Sequence, residues 1–281
     1  MLTTSLSYMR TEILGPVDVD DAPDIAVIGG IHGDEPCGVQ AIERFCSGAL
    51  IDAIQRPVKL IIANERALEA NMRYIEGDLN RLFPGDPESE LYEERLAFDL
   101  YQEIKDCTTL GFHSTISFDE PFGTFANLTP QKATIMQALP LEHAADFSGH
   151  VTGRGVNLSE FVNVEAGYQG SEAAVENAYA CLIAYLRVMD ALPAEADITP
   201  TTHYQVQHTI EKIPNETYDV HVNNFEQVSP GMEYATTGTG KSLLADSAFW
   251  PVLMSSHGHD TLLGYAAKRT GEISATVTDS D

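Results

Sequence analysis

The residues best suited to chemistry sit in one short run, Gly29-Gly30-Ile31-His32-Gly33-Asp34-Glu35-Pro36. His32 and Glu35 form an H-x-x-E pair. Imidazole nitrogen and carboxylate oxygen are both zinc donors, and a catalytic zinc takes three protein ligands and keeps a fourth position open. A glycine-rich phosphate turn is the competing reading. The spacing is neither G-x-G-x-x-G nor G-x-x-x-x-G-K-[ST], and a histidine and two carboxylates stand where backbone N–H groups would face phosphate. H-x-x-E alone arises by chance in many proteins, so the metal reading needs a third ligand. Nine histidines are available, at 32, 113, 143, 150, 203, 208, 221, 257 and 259. His113 ends the run Leu110-Gly111-Phe112-His113-Ser114-Thr115, and an adjacent parallel strand there would bring it beside His32. A lone histidine at a strand end is otherwise a hydrogen-bonded structural residue.

Two further features carry charge where it could act. Arg66, Arg73 and Arg81 fall in one 16-residue window, in which a chain with 16 basic residues in 281 would place about one. Arginine suits bidentate recognition of a carboxylate, and pairing with the chain's many acids is the plain alternative. Glu165, in Asn163-Val164-Glu165-Ala166-Gly167, interrupts an apolar strand, which is costly unless the carboxylate has a partner or a task. Beside a metal it could take a proton from water and pass it on; an ion pair with arginine would equally satisfy it.

These residues need a scaffold, and the first two-thirds of the chain alternates strand and helix signals. Asp24–Gly30, Val58–Ala63, Thr109–His113 and Phe161–Ala166 read as strands. Val39, Ile42 and Cys46 share a helix face opened by Pro36 at the first helical position. Tyr92, Leu96, Leu100 and Ile104 mark a second helix, and Val175, Tyr179, Leu182 and Leu186 a third. Alternation of this kind predicts an α/β fold with a mostly parallel sheet. Asp190–Thr202, with two prolines and small polar residues, reads as a linker. Beyond it, alternating and β-branched stretches at Thr202–Ile213 and Tyr218–Phe225, with turns at Pro230-Gly231 and Gly238–Gly240, predict a smaller, mainly β unit.

Composition narrows the partners. With 16 Lys+Arg against 42 Asp+Glu, the net charge is −26, which disfavours nucleic acid and anionic membrane, since both need a basic face. High acid content with only six lysines suggests adaptation to salt, because charge of this size repels itself unless screened; a solvated acidic surface without adaptation is the alternative. Four scattered cysteines without a C-x-x-C pair suggest reduced thiols in a cytoplasmic setting. The opening MLTTSLSYMR lacks a signal-peptide pattern, and no apolar run approaches the roughly 18–20 residues of a membrane span.

The order G-G-x-H-G-x-E, N-x-R-A, R-Y-I-x-x-D-L-N-R-x-F, F-H-S-T and a late E-x-G, from Gly29 to Gly167, resembles the succinylglutamate desuccinylase/aspartoacylase family, relatives of the zinc carboxypeptidases. The resemblance implies a carboxypeptidase-like central mixed sheet flanked by helices over residues 1–195. A smaller, mainly β domain at 196–281 would help to cover the active site. It implies one zinc per chain on His32, Glu35 and His113, and hydrolysis of a small anionic N-acyl amino acid. Glu165 matches the catalytic glutamate and Arg73 the arginine that polarises the scissile carbonyl. Asn80 and Arg81 match the pair that holds the substrate carboxylate. Arg154 is the nearest match for a further substrate-binding arginine, and Tyr265 for a C-terminal tyrosine that contacts substrate. The chain departs from many relatives at Gly111, where they carry an acidic residue two before the third ligand. Related readings are a zinc carboxypeptidase acting on peptides and a member that binds zinc or a small acid without catalysis. None of this predicts an oligomeric state.

Overall fold

Short runs of branched apolar residues, buried on both faces, form the centre of a sheet that places the site at one of its ends. The structure is a computed structural model that describes residues 2–6, 8–16, 22–150, 154–258 and 261–274. His259 and the end of the expected C-terminal unit, 275–281, lie outside them. In chain order the elements are β1 (Leu2–Leu6), β2 (Met9–Leu14), β3 (Ile25–Gly29), α1 (Cys37–Ser47), β4 (Val58–Ile62), α2 (Glu65–Ala70) and α3 (Tyr92–Ile104). Next come β5 (Thr108–Thr115), β6 (Phe122–Phe125), α4 (Pro130–Ala138), β7 (His143–Asp146), β8 (Phe161–Tyr168) and α5 (Glu172–Val188). The C-terminal part adds β9 (Thr202–Glu211), β10 (Tyr218–Val220), β11 (Glu233–Thr237), β12 (Ser242–Leu244), β13 (Trp250–Val252) and β14 (Leu262–Glu272).

Eleven of these strands form one mixed sheet in the order β1-β2-β4-β3-β5-β8-β6-β7-β9-β14-β13. Its centre, β4-β3-β5-β8, is parallel. All five residues of β3 are buried, as expected for a strand covered on both faces. Ile25 and Val27 pack into one apolar layer with Phe45 of α1 and Leu182 and Tyr185 of α5. Ala26 and Ile28 pack into the opposite layer with Leu96 and Leu100 of α3. The period of two along the strand thus meets a helix stripe on each side.

The four strands expected in the first two-thirds are all present, with ends shifted by at most two residues, and Thr202–Ile213 forms β9; the stretch Tyr218–Phe225 is a strand only over Tyr218–Val220. Helix α1 starts at Cys37, with Pro36 as its cap rather than its first residue. The sequence did not announce α4: four of its apolar residues, Ala133, Ile135, Met136 and Ala138, are buried along with Lys132, so no clean 3.6-residue stripe exists to be read. Residues 190–201 carry no regular element and lead into β9. There β9 pairs in parallel with β7, so the sheet runs without a break into the C-terminal strands. A separate three-stranded sheet, β10-β11-β12, packs through Tyr218, Ala235, Val228 and Phe249 around a second apolar centre.

Candidate metal centre and active site

The chain leaves β3 for β4 on one side and returns to β5 on the other. A crevice at the carboxyl ends of strands at such a reversal is where open α/β sheets hold ligands. The turn after β3 carries His32 and Glu35 into it. At Gly33 a Cβ would collide with the Ala67 carbonyl, so only glycine lets the turn lie against α2. From there the Gly33 N–H donates to the Arg73 carbonyl at 3.3 Å, tying the turn to the arginine segment. His113 comes from the carboxyl half of β5.

His32, Glu35 and His113 are 2%, 5% and 3% exposed, and their donor atoms converge. His32 Nδ1 lies 2.8 Å from Glu35 Oε1 and 3.1 Å from His113 Nδ1, which lies 3.0 Å from Glu35 Oε2. Lone pairs this close, withdrawn from water, repel unless a proton or a cation lies among them. Two imidazoles and a carboxylate can hold a metal ion. The far nitrogen of His32, Nε2, meets Asp78 Oδ1 at 3.2 Å. That carboxylate suits a ring hydrogen on Nε2, which with a cation among the donors would leave the Nδ1 lone pair facing it, an arrangement common around metal-binding histidines. Glu35 is held by the Ser114 N–H at 3.1 Å and by Arg73 Nη1 at 3.0 Å. On His113 the corresponding Nε2 is buried and has no hydrogen-bond partner.

The electrostatics follow from burial set against charge. Burial opposes ionisation of Glu35, yet the His32 charge and the hydrogen bonds from His113 and His32 outweigh it and hold the carboxyl well below its usual range. Burial likewise opposes charging of His32, but Glu35 and Asp78 raise its pKa. His113, where burial dominates, is lowered. Asp78 is held low despite burial by His32, Arg73 and Arg81. Glu165 faces His113 across the β5–β8 pair. Burial, and then the nearby Glu35 charge, push its carboxyl up to about 8.

Most of the residues singled out from the sequence meet here; Arg66 does not, its guanidinium lying 4.3 Å over the Tyr92 ring instead. His32, Glu35, Arg73, Asn80, Arg81, His113, Arg154, Glu165 and Tyr265 line one cleft of about 190 Å³. Arg73 reaches Asp78 Oδ2 through Nε and Nη2 at 3.3 and 3.2 Å. Asn80 Oδ1 accepts from the Gly155 N–H at 3.0 Å. Arg154 Nη2 donates to the Tyr265 hydroxyl at 3.0 Å, joining residues from far ends of the chain. Arg81 is lowered by burial and by the like charge of Arg154, so two guanidiniums share this wall.

Two residues that sequence reasoning passed over organise the cleft. Asp78, within the quoted R-Y-I-x-x-D-L-N-R run, links His32, Arg73 and Arg81. Glu93, fully buried in the first turn of α3, accepts from the backbone N–H groups of Ile75, Glu76 and Gly77 at 2.6, 3.0 and 3.1 Å. Its place at i, i+3, i+7 with Leu96 and Leu100 was the available signal.

A sequence model of the succinylglutamate desuccinylase/aspartoacylase catalytic domain matches residues 21–119, the stretch that holds His32, Glu35, Arg73, Asn80, Arg81 and His113. The sequence pattern of that catalytic domain is thus present over residues 21–119 of the chain. The chain is 29% identical to a succinylglutamate desuccinylase of Pseudomonas fluorescens over 117 residues, 41% of this chain and 35% of that one. It is 38% identical to the aspartoacylase of Rattus norvegicus over 77 residues, 27% of this chain and 25% of that one. The chain thus matches only about a quarter to a third of the length of these curated relatives. The fold likeness is broader: a succinylglutamate desuccinylase/aspartoacylase from Rhodobacter sphaeroides superposes with a TM-score of 0.74 at 17% identity, covering 94% of this chain and 89% of that one.

Proposed function

We propose that this protein is a member of the succinylglutamate desuccinylase/aspartoacylase family and a zinc-dependent amidohydrolase that cleaves an N-acyl amino acid into a carboxylate and an amino acid. The observation that carries the reading is the buried convergence of His32 Nδ1, the Glu35 carboxylate and His113 Nδ1 in a cleft that also holds Glu165 and three arginines. The donor set fits one zinc ion per chain, which when bound supplies Lewis-acid polarisation of the amide carbonyl and acidifies water.

The chain's own residues then act as follows. Glu165 accepts a proton from the attacking water and returns it to the leaving nitrogen, so that the amine departs neutral. Arg73, anchored by Glu35 and Asp78, uses three of its five N–H donors in those contacts. The remaining two can meet the oxygen on which negative charge develops. Asn80 has its carbonyl oxygen committed to Gly155, which turns its amide N–H donors to the substrate carboxylate beside Arg81. Arg154, held by Tyr265, supplies a second positive charge, so the wall suits an anionic substrate. The protein works in a reducing, cytoplasmic setting; four free cysteines among the described residues support that, and no helix of the described residues is long and apolar enough to cross a membrane.

The test is zinc per purified chain, in concentrated KCl without chelator, for wild type and His113→Ala, followed by hydrolysis of N-acyl amino acids against short peptides. Near one zinc in the wild type, clearly less in the variant and preference for N-acyl amino acids are expected. No zinc uptake in either protein would overturn the reading, and preference for peptides would move it to a carboxypeptidase.

A further inference from the structure

His113 has an unmet requirement. If its Nδ1 is to face a metal with a lone pair, its hydrogen must sit on Nε2, and a buried N–H needs an acceptor. His32 has such an acceptor in Asp78, whereas His113 Nε2 is buried without one. Across the β5–β8 pair, Gly111 stands opposite Asn163 and His113 opposite Glu165. Residues two apart in a strand share a face, so Gly111, His113, Asn163 and Glu165 form a square on the cleft side of the sheet. Asn163 is 2% exposed, and its Oδ1 is also buried without a partner. Its amide lies in the space where a side chain at position 111 would begin: a Cβ on Gly111 would collide with Asn163 Oδ1. One orphan donor and one orphan acceptor therefore stand on adjacent strands, and Gly111 makes the room.

We propose that Asn163 is the positioning residue of His113. On this assignment its Oδ1 accepts the Nε2–H when the metal is bound, directly or through one water, and thereby orients the Nδ1 lone pair. The proposal rests on the metal reading above. A neutral amide does this work here, opposite the Asp78 carboxylate that serves His32, so the two histidines differ in how strongly their basicity is supported. Asp34, whose Oδ1 is also without a partner, is the competing acceptor; it lies in the turn before α1 and acts on Arg73.

The experiment measures zinc affinity of the metal-free protein by chelator competition, with 1H–15N spectra to report the His113 tautomer. Asn163→Leu keeps the volume but removes the acceptor, and should weaken zinc about 10- to 100-fold and mix the His113 tautomers. Asn163→Asp should bind at least as tightly as the wild type. Asp34→Asn should leave affinity unchanged. Gly111→Asp should be tolerated poorly alone, but in Asn163→Ala it should restore zinc affinity, because either position can supply the acceptor and only one side chain fits. That rescue would not follow from a merely structural role. Equal affinity of wild type and Asn163→Leu, or loss in Asp34→Asn instead, would overturn the proposal while leaving the metal reading intact. No zinc binding by the wild type would defeat both.

Discussion

The buried carboxylate of Glu93 makes the sharpest prediction, because it holds the segment that bears Arg73, Asp78, Asn80 and Arg81. It accepts four hydrogen bonds, from the N–H groups of Ile75, Glu76 and Gly77 and from Asn64 Nδ2 at 3.3 Å. Glu93→Gln preserves its shape but turns one oxygen into a donor. Oε1 serves Ile75 and Asn64, and Oε2 serves Glu76 and Gly77, so two bonds are lost whichever oxygen is replaced. Hydrogen bonds to charged groups contribute about 1.5–3 kcal/mol each, so the local loss is about 3–6 kcal/mol before water recovers part of it. Leu96, Leu100 and Ile104 keep α3 in the core, so the segment should open locally while the domain stays folded. Hydrogen exchange should show protection of the Ile75–Gly77 amides falling by about 100-fold or more, since about 1.4 kcal/mol is tenfold. Zinc affinity should fall about tenfold as Asp78 ceases to orient His32. Unchanged protection of those three amides would refute the reasoning.

Other outcomes follow from the same contacts. Glu165→Ala should retain zinc and lose about 10²–10⁴ in kcat; full activity would remove Glu165 from the proton-transfer role. Asp146 joins β7 to β9: burial pushes its carboxyl up, but His203, whose Nε2 lies 3.6 Å away, and two hydrogen bonds from Ser148 hold it low. Asp146→Ala should cost about 1–3 kcal/mol. Because the folded pKa is depressed, that gap should be full above the unfolded value of about 3.9 and shrink as pH falls through the lower folded one; a gap that widens in acid would contradict the sign. With a net charge of −26, the melting temperature should rise with KCl toward about 1 M, where the Debye length is about 3 Å. Greatest stability in dilute buffer would refute salt adaptation.

Much of the site was legible in the sequence because its members lie at the ends of strongly patterned elements. The strand before His32 and the strand containing His113 are short apolar runs, and the arginine segment follows a third. Residue type and position in such a frame are enough to name His32, Glu35, His113, Arg73, Arg81 and Glu165 as candidates, while Asn80 came only from the family resemblance. Arg154 and Tyr265 were harder, being 111 residues apart, and their hydrogen bond depends on β14 reaching the cleft through β9 and β7. The sheet's continuity into its C-terminal strands was also hidden, because β6 and β7 have four residues each, too few to display a period.

Local pattern along the chain therefore sufficed for the α/β architecture and the chemical types available, since side-chain periodicity and turn chemistry act over a few residues. It could not say which buried acids serve which partners. Glu93 gathers a loop 16 to 18 residues away, Asp78 reaches His32 across 46, and Asn163 fills the space left by Gly111 on a neighbouring strand. Those assignments depend on strand order and register, which bring distant groups together where water is excluded and every polar atom must find a partner.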